Sequence, residues 1–267
     1  MKHDGTRQLA VITGATGGIG KEICRRVAMS GFDILAQYHS DRAAAEALQR
    51  EVEDNQHLCR IVQADLASEA GVASVCSAAE AMRADSSGTL EIRALVNNAA
   101  RLLGPSFDEA TVADFDAYMA LNARAPFFLS QRLSRNMPPG ASIVHISSAS
   151  AHFSSPGDIV YAVSKAAVEA LTKNSAEALA ARGIRVNAVV PGFTNNGHSA
   201  FTIPEAVRYM SSFAVLGGVA SPTHVADAVV FLLSDTAART TGSILDVSGG
   251  SMLGARGPRA HSVRDLL

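Results

Sequence analysis

Tyr161 and Lys165 stand four residues apart in an Ala-rich stretch that follows a Pro-Gly loop. The stretch predicts a helix, and on a helix this spacing puts both side chains on one face. A phenol titrates near ~10 and is a poor base at neutral pH, so it needs a fixed positive neighbour such as Lys165 to stabilise its phenolate. Ser148 follows a β-branched run at residues 143–146 and can hold a carbonyl oxygen while the tyrosine moves a proton. These residue types indicate carbonyl reduction or alcohol oxidation.

A glycine-rich turn near the start of the chain indicates a cofactor for that chemistry. An apolar run at residues 9–13 enters the turn between Gly14 and Gly20, and an amphipathic stretch follows it. This pattern predicts a strand, a tight turn and a helix, whose backbone amides and N-terminal partial charge suit a pyrophosphate. Each motif has a plain alternative when it is taken singly: a turn that binds nothing, and a packed tyrosine beside a solvated lysine. Together they predict a nucleotide-dependent oxidoreductase.

These motifs resemble those of the short-chain dehydrogenase/reductase family, in particular 3-oxoacyl-acyl-carrier-protein reductases and related ketoreductases. The resemblance runs from about residue 9 to residue 250 and rests on Thr13-Gly14, Gly18, Gly20, Asn97-Asn98-Ala99, Ser148, Tyr161, Lys165 and Pro191-Gly192. Alternating apolar strands and amphipathic helices predict the matching architecture. It is an α/β, Rossmann-type three-layer sandwich, with a doubly wound parallel sheet of about seven strands and helices on both faces.

The resemblance also implies a mechanism. A ketone receives hydride from NADPH, Tyr161 protonates the forming alkoxide as general acid, and Ser148 orients the carbonyl oxygen. Lys165 binds the nicotinamide ribose and lowers the pKa of Tyr161. Asn122 anchors a water molecule that links the lysine to a proton relay; the alternative for Asn122 is a satisfied amide in the core.

By the same resemblance, cofactor contacts fall in the glycine turn and after four further strands. They are Gly14, Thr16, Gly17, Gly18, Ile19, Gly20, Tyr38, His39, Ser40, Arg42, Asp65, Leu66, Asn98, Ala99, Ala100, Pro191, Gly192 and Thr194, together with Tyr161 and Lys165. Asp65 has the alternative of an N-cap for the next helix.

The end of the second strand favours NADP(H) over NAD(H). NAD-preferring family members commonly carry an acidic residue where this chain has Tyr38, and His39, Ser40 and Arg42 can accept a 2′-phosphate. NAD(H) stays open because Gly17 stands where many NADP-dependent members have Arg or Lys, and Arg42 has the alternative of a solvated residue at a helix start.

Two positions depart from the family pattern. Ala100 replaces a glycine, so we expect an ordinary φ there or a slightly shifted loop, because a methyl group at positive φ costs on the order of 1 kcal/mol. Asn196 replaces a threonine that contacts the carboxamide in many members, and Thr194 is the candidate substitute.

Longer segments complete the expected organisation, which is one catalytic domain over residues 1–267 with its core at about 8–250. Residues 112–137 read as one long helix. Residues 195–216 read as a substrate lid whose aromatic residues suit an apolar or acyl-bearing substrate. Residues 255–267 form a tail without apolar periodicity.

Composition bounds the partners and the compartment. The net charge is −2 and the pI about 6.4, which argues against nucleic acid and anionic membrane partners. The three cysteines show no metal-ligand spacing and are expected to be reduced packing residues in a cytoplasmic protein. A homo-oligomer, dimer or tetramer, follows from the family resemblance, as does a ketone or alcohol substrate that is either free or bound to an acyl carrier protein.

Two other functions stay open. The first is an NAD(H)-linked alcohol, sugar or steroid dehydrogenase, since the same site runs in either direction. The second is a non-catalytic member of the fold that senses a nucleotide or serves as a scaffold.

Overall fold

Seven parallel strands form one sheet in the computed structural model, which describes residues 6–86 and 88–253. The strands are β1 (Arg7–Ile12), β2 (Phe32–Tyr38), β3 (Cys59–Gln63), β4 (Leu90–Asn97), β5 (Ser142–Ile146), β6 (Arg185–Pro191) and β7 (Ile244–Val247). Their order is β3-β2-β1-β4-β5-β6-β7, so the chain reverses direction across the sheet between β1 and β4. This is the predicted doubly wound, Rossmann-type architecture. The tail at residues 255–267 lies outside the described residues.

Helices cover both faces of the sheet. They are α1 (Gly18–Met29), α2 (Arg42–Asp54), α3 (Glu69–Asp85), α4 (Val112–Met119), α5 (Ala125–Leu133), α6 (Ile159–Ala180), α7 (Pro204–Ser211) and α8 (Pro222–Leu233). Alternate residues of β1 show why both faces need cover: Ala10 and Ile12 pack with α1, α2 and α8, whereas Leu9 and Val11 pack with α3 and α5. Strands buried on both sides read as continuous apolar runs, as the sequence does here.

The single long helix expected at residues 112–137 is wrong, because a π-helical turn at Ala120–Arg124 separates α4 from α5. Within this turn the N–H of Ala125 donates to the carbonyl oxygen of Ala120, five residues earlier. Pro126 follows, and it has no N–H to donate to the carbonyl of Asn122, four residues before it. Regular α-helical bonding therefore cannot continue through this point, and π turns of this kind occur often at functional sites.

The packing agrees with several local expectations. Gly183 adopts a φ of +68° just beyond α6, the conformation that ends a helix. Cys24 and Cys59 are free thiols in the core on one face of the sheet, and Cys76 is a free thiol at the edge of the core on the other face. Among residues 6–86 and 88–253, no helix is long and apolar enough to cross a lipid bilayer.

Candidate active site

A cavity of about 1230 Å³ opens at the carboxyl ends of the strands, where β1 and β4 mark the reversal of strand order. Open α/β sheets bind ligands at such a switch point. The cavity brings together Ser148 after β5, Tyr161 and Lys165 on α6, and the glycine turn after β1. Residues that are more than a hundred positions apart in the chain thus share one site, as predicted.

Ser148, Tyr161 and Lys165 form the polar centre of the cavity. The Ser148 hydroxyl is hydrogen-bonded to the Tyr161 phenol and also accepts bonds from the N–H (3.2 Å) and hydroxyl (2.9 Å) of Ser150. The Lys165 ammonium lies 5.7 Å from the centroid of the Tyr161 ring and donates to the carbonyl oxygen of Ile146 at 2.7 Å. That bond ties α6, the helix that carries both candidate catalytic residues Tyr161 and Lys165, to the end of β5.

Burial determines the protonation states of Tyr161 and Lys165. Burial raises the pKa of Tyr161 to about 12, against the opposing hydrogen bond from Ser148. Burial also lowers the pKa of Lys165 to about 8. Lys165 is not among the groups that shift the pKa of Tyr161, so the expected lowering of that pKa by Lys165 is not found in the protein chain itself. At neutral pH the phenol carries its proton and can act as an acid.

Asn122 lies beside this centre, outside the lining of the cavity, and its side chain is fully engaged. Its Oδ1 accepts from the Arg101 N–H at 2.8 Å, and its Nδ2 donates to the Arg101 carbonyl at 3.1 Å and to the Ser164 hydroxyl at 2.9 Å. The side chain matches the satisfied core amide. The backbone carbonyl of Asn122 has no α-helical donor, because Pro126 lacks an N–H.

The glycine turn has the shape that a pyrophosphate requires. Gly14 has a φ of +64°, and its N–H donates to the side chain of Gln37 at 2.8 Å. A Cβ at Gly20 would lie 2.1 Å from the carbonyl oxygen of Gly14, so only glycine permits this packing. No acidic residue occupies the first turn of α1, which leaves its positive end available to an anion. Thr16, Gly17, Gly18 and Ile19 also line the cavity.

The residues expected at the adenosine ribose are only partly brought together. His39 lines the cavity. Tyr38 is buried in the sheet, Ser40 is exposed outside the cavity lining, and Arg42 pairs with Glu46 at 2.7 Å. The Arg42 side chain is largely exposed, so this pair is a weak restraint on it.

The remaining residues that are expected to contact the cofactor lie along the cavity. Asp65, Leu66, Asn98, Ala99, Ala100, Pro191, Gly192 and Thr194 all line the cavity. The alternative of Asp65 as a helix N-cap is wrong, since Ser68 caps α3 by accepting from the N–H of Gly71. Ala100 has an ordinary φ as expected, and the positive φ falls three residues later at Leu103. Asn196 and Thr194 both face the cavity.

Comparison with known proteins identifies the family to which this chain belongs. Residues 14–252 match the family model described as enoyl-(acyl carrier protein) reductase. The chain belongs to the short-chain dehydrogenase/reductase family. As a member of that family it is an oxidoreductase.

Three relatives of this short-chain dehydrogenase/reductase are informative. The angucycline C-6 ketoreductase LanV, solved with bound NADP, is 34% identical, with a TM-score of 0.88 over 93% of this chain and 99% of LanV. The promiscuous reductase LugOII, which catalyses keto-reduction at C1 during lugdunomycin biosynthesis, is 37% identical, with a TM-score of 0.89 over 93% of this chain and 99% of LugOII. A 3β-hydroxysteroid dehydrogenase of Eggerthella lenta is 33% identical over 95% of this chain and 97% of its own length.

Aromatic side chains gather at one end of the cavity, in the segment at residues 195–216 and beside it. The ring of Phe213 lies 5.6 Å from that of Phe153, 5.3 Å from Phe193 and 5.1 Å from Tyr209, measured between centroids. All four residues line the cavity. The sequence predicts the aromatic residues in 195–216 but not Phe153 and Phe193, which come from other loops of this short-chain dehydrogenase/reductase.

A second missed contact joins the loop that carries Ser148 to helix α6. The Glu169 carboxylate accepts from the Ser147 hydroxyl at 2.7 Å and lies 2.8 Å from Nε2 of His152. Glu169 is one helical turn beyond Lys165, and Ser147 is next to Ser148. A lone His and Glu seventeen residues apart carry no local signal of this pairing.

Proposed function

We propose that this protein is an NADP(H)-dependent ketoreductase that reduces a ketone to a secondary alcohol. The observation that carries the proposal is the cavity that brings Ser148, Tyr161 and Lys165 together with the glycine turn. An acid that keeps its proton at neutral pH suits protonation of an alkoxide, which is the reductive direction.

Each residue then has one task. The Ser148 hydroxyl holds the carbonyl oxygen, and the Tyr161 phenol gives its proton to that oxygen as the C–H bond forms. Lys165, fixed by its bond to Ile146, keeps its remaining N–H groups for the nicotinamide ribose. The backbone carbonyl of Asn122 is the acceptor for a water molecule that returns a proton from solvent.

The cofactor would lie along the glycine turn and across the ends of β1, β4 and β6. When it is bound, the nicotinamide supplies the hydride. LanV was solved with NADP, and no carboxylate stands at Tyr38 to repel a 2′-phosphate, so we assign NADP(H). His39 is placed to meet the phosphate, and Ser40 and Arg42 would reach it by turning their exposed side chains.

The substrate would be a fused-ring ketone of the polyketide kind. The four rings around Phe213 offer flat apolar contacts, which polycyclic ligands use better than linear acyl chains do. Support comes from LanV, an angucycline C-6 ketoreductase, and from LugOII, which catalyses keto-reduction at C1 during lugdunomycin biosynthesis. A 3-oxoacyl thioester, free or on an acyl carrier protein, is the competing substrate within the same reaction. The segment at residues 195–216 would close over either one.

The test compares the wild type with Tyr161→Phe. Oxidation of NADPH is followed by absorbance with a fused-ring ketone and a 3-oxoacyl thioester, and with NADH in parallel. We expect turnover of the fused-ring ketone with NADPH, and a loss of several orders of magnitude in the variant while NADPH affinity is kept. A variant as active as the wild type contradicts the mechanism, and a preference for NADH contradicts the cofactor assignment.

A second candidate is a hydroxysteroid dehydrogenase, favoured by the Eggerthella lenta relative. The aromatic cluster also suits a rigid tetracyclic alcohol. Oxidation of a 3β-hydroxysteroid with NAD⁺ that is faster than any ketone reduction would favour this candidate. NADPH binding without turnover of either class would favour the non-catalytic alternative.

The outer surface of α4 to α6 is where a second copy of the chain would pack. Apolar side chains are exposed there: Val112, Phe115 and Phe127 each show at least 45% of their surface, and Met119 and Leu171 line a groove between them. We expect a dimer or tetramer by light scattering. Phe127→Glu should shift the mass towards the monomer, and an unchanged mass would place the interface elsewhere.

A further inference from the structure

Residues 101–104, in the segment between β4 and α4, are held at three points as they pass the cavity. Asn122 binds both backbone groups of Arg101. The Tyr118 hydroxyl donates to the carbonyl of Leu102 at 3.0 Å, and the N–H of Gly104 donates to Oδ1 of Asp158 at 2.5 Å. The first two holds come from the helices next in sequence, whereas the third comes from the start of the catalytic helix, 54 residues away.

The Asp158 carboxylate stands at the start of α6 but does not cap that helix. Asp158 is the N-cap residue of α6, where a carboxylate ordinarily accepts an N–H of its own helix, yet no such bond is formed. Its Oδ1 instead bonds to Gly104, and a Cβ on Gly104 would lie 2.7 Å from that oxygen. The approach thus requires both the carboxylate and the absent side chain. Asp158 also lies three residues before Tyr161 and lines the same cavity.

Leu103 is the residue between these holds that is forced into a rare conformation. Its φ is +57°, a region that bulky side chains seldom adopt and that persists where the surrounding contacts impose it. Leu102 and Leu103 remain 46% and 74% exposed and line the cavity. The segment therefore presents two apolar side chains to the substrate end instead of burying them.

We propose that Asp158 is a positioning residue that sets the substrate wall formed by Leu102 and Leu103, and thereby selects large ketones over small ones. The inference rests on the proposed ketone reduction. Without the bond to Gly104, residues 101–104 lose their direct hydrogen bond to the start of α6. The nearest remaining tie is the N–H of Phe107, which donates to the Pro156 carbonyl at 3.0 Å and lies beyond the two leucines, so these lose their fixed place relative to Tyr161. A fused-ring ketone, which must contact the wall, depends on the bond to Gly104 more than a short ketone does.

The test uses Asp158→Ala with Asp158→Asn as the matched control, because asparagine keeps an oxygen that can accept from Gly104. The measured quantity is the ratio of kcat/KM for a fused-ring ketone to kcat/KM for an acetoacetate ester. We expect Asp158→Ala to lower the ratio about tenfold, because that is the effect of losing one hydrogen bond to a charged group. The change should come mainly from a higher KM for the large ketone. Asp158→Asn should restore the ratio to within about threefold of the wild type.

A second measurement needs no turnover and separates this inference from the proposed function. Exchange of the Gly104 amide hydrogen, followed by NMR, should be slow in the wild type and in Asp158→Asn, and at least about tenfold faster in Asp158→Ala. If no ketone is reduced by the wild type, the proposed function fails, and binding of the fused-ring ketone measured by calorimetry replaces the kinetic ratio.

Four results would overturn the inference. The first is unchanged Gly104 exchange in Asp158→Ala, which would mean that the bond does not hold the segment. The second is faster exchange with an unchanged selectivity ratio or affinity. The third is an equal fall in kcat for both ketones with unchanged KM, which would make Asp158 part of the chemistry rather than of the wall. Leu103→Ala should lower the same ratio while Gly104 exchange stays slow, and a ratio unaffected by that change would also contradict the role of the wall.

Discussion

Replacing Lys165 with methionine measures how much the burial of its ammonium group lowers the free energy of unfolding. Burial lowers the pKa of Lys165 from 10.5 to about 8, a difference worth about 3 kcal/mol between the charged and neutral forms. Methionine has a similar length and no charge, so Lys165→Met removes this cost. The change also removes the donor to the Ile146 carbonyl, and the loss of that hydrogen bond lowers the stability of the variant by about 1 kcal/mol. At pH 7 the variant should therefore be more stable than the wild type by about 2 kcal/mol.

The sign of the effect should change with pH. Below about 8 the lysine is charged in both the folded and the unfolded state, and folding carries the full cost. Between about 8 and 10.5 only the unfolded state keeps the proton, so the wild type gains stability as the pH rises. Above that range the cost is gone and the lost hydrogen bond remains, so the variant should become less stable by about 1 kcal/mol.

Urea unfolding followed by circular dichroism at pH 7 and above pH 10 provides the two free energies. Lys173→Met is the matched control, since Lys173 is exposed on the same helix and its replacement should change stability by less than about 0.5 kcal/mol. Activity of Lys165→Met should be lost at both pH values. The reasoning is refuted if Lys165→Met is less stable than the wild type at pH 7, or if the difference between them does not vary with pH.

Three further changes test other parts of the site. Ser148→Ala removes the hydroxyl bonded to the catalytic phenol and should lower kcat by about 10² to 10³ with little change in melting temperature. Gly20→Ala, whose Cβ would meet the Gly14 carbonyl at 2.1 Å, should weaken NADPH binding in a fluorescence titration far more than Gly17→Ala, where the contact is an ordinary 3.5 Å. Burial raises the pKa of Asp158 to about 6, so its contribution to stability is full below 3.8 and is lost as the pH rises through about 6. Between pH 3.8 and about 6 the free energy of unfolding of the wild type should fall by about 1 kcal/mol relative to that of Asp158→Asn, a value reduced for solvent screening. Parallel curves of unfolding free energy against pH for the two proteins would contradict the raised pKa of Asp158.

Local spacing explains which features the sequence predicted well. The side of a helix that carries a residue depends only on the helical repeat, so Tyr161 and Lys165 could be placed on one face without knowing the fold. The strands followed in the same way from short apolar runs bounded by turn residues, with boundaries wrong by a few residues: β1 is Arg7–Ile12 where residues 9–13 were expected.

The π turn at Ala120–Arg124 was missed although its signal was present. Pro126 cannot take part in α-helical bonding with the carbonyl four residues before it, and the apolar periodicity around it conceals that interruption. The predicted role of Asn122 changes with this turn. The side chain of Asn122 is fully used by Arg101 and Ser164, and its backbone carbonyl is the group without an α-helical donor.

By itself, the sequence determined the alternation of strands and helices, the glycine turn and the tyrosine–lysine pair, because each of these depends on neighbours within one or two turns of chain. The tertiary structure alone decided the protonation of Tyr161 and Lys165, the ring cluster around Phe213 and the bond between Asp158 and Gly104. A pKa depends on everything that excludes water from a group, and a contact across 54 residues depends on the order of strands in the sheet. Neither is encoded in any short stretch of sequence.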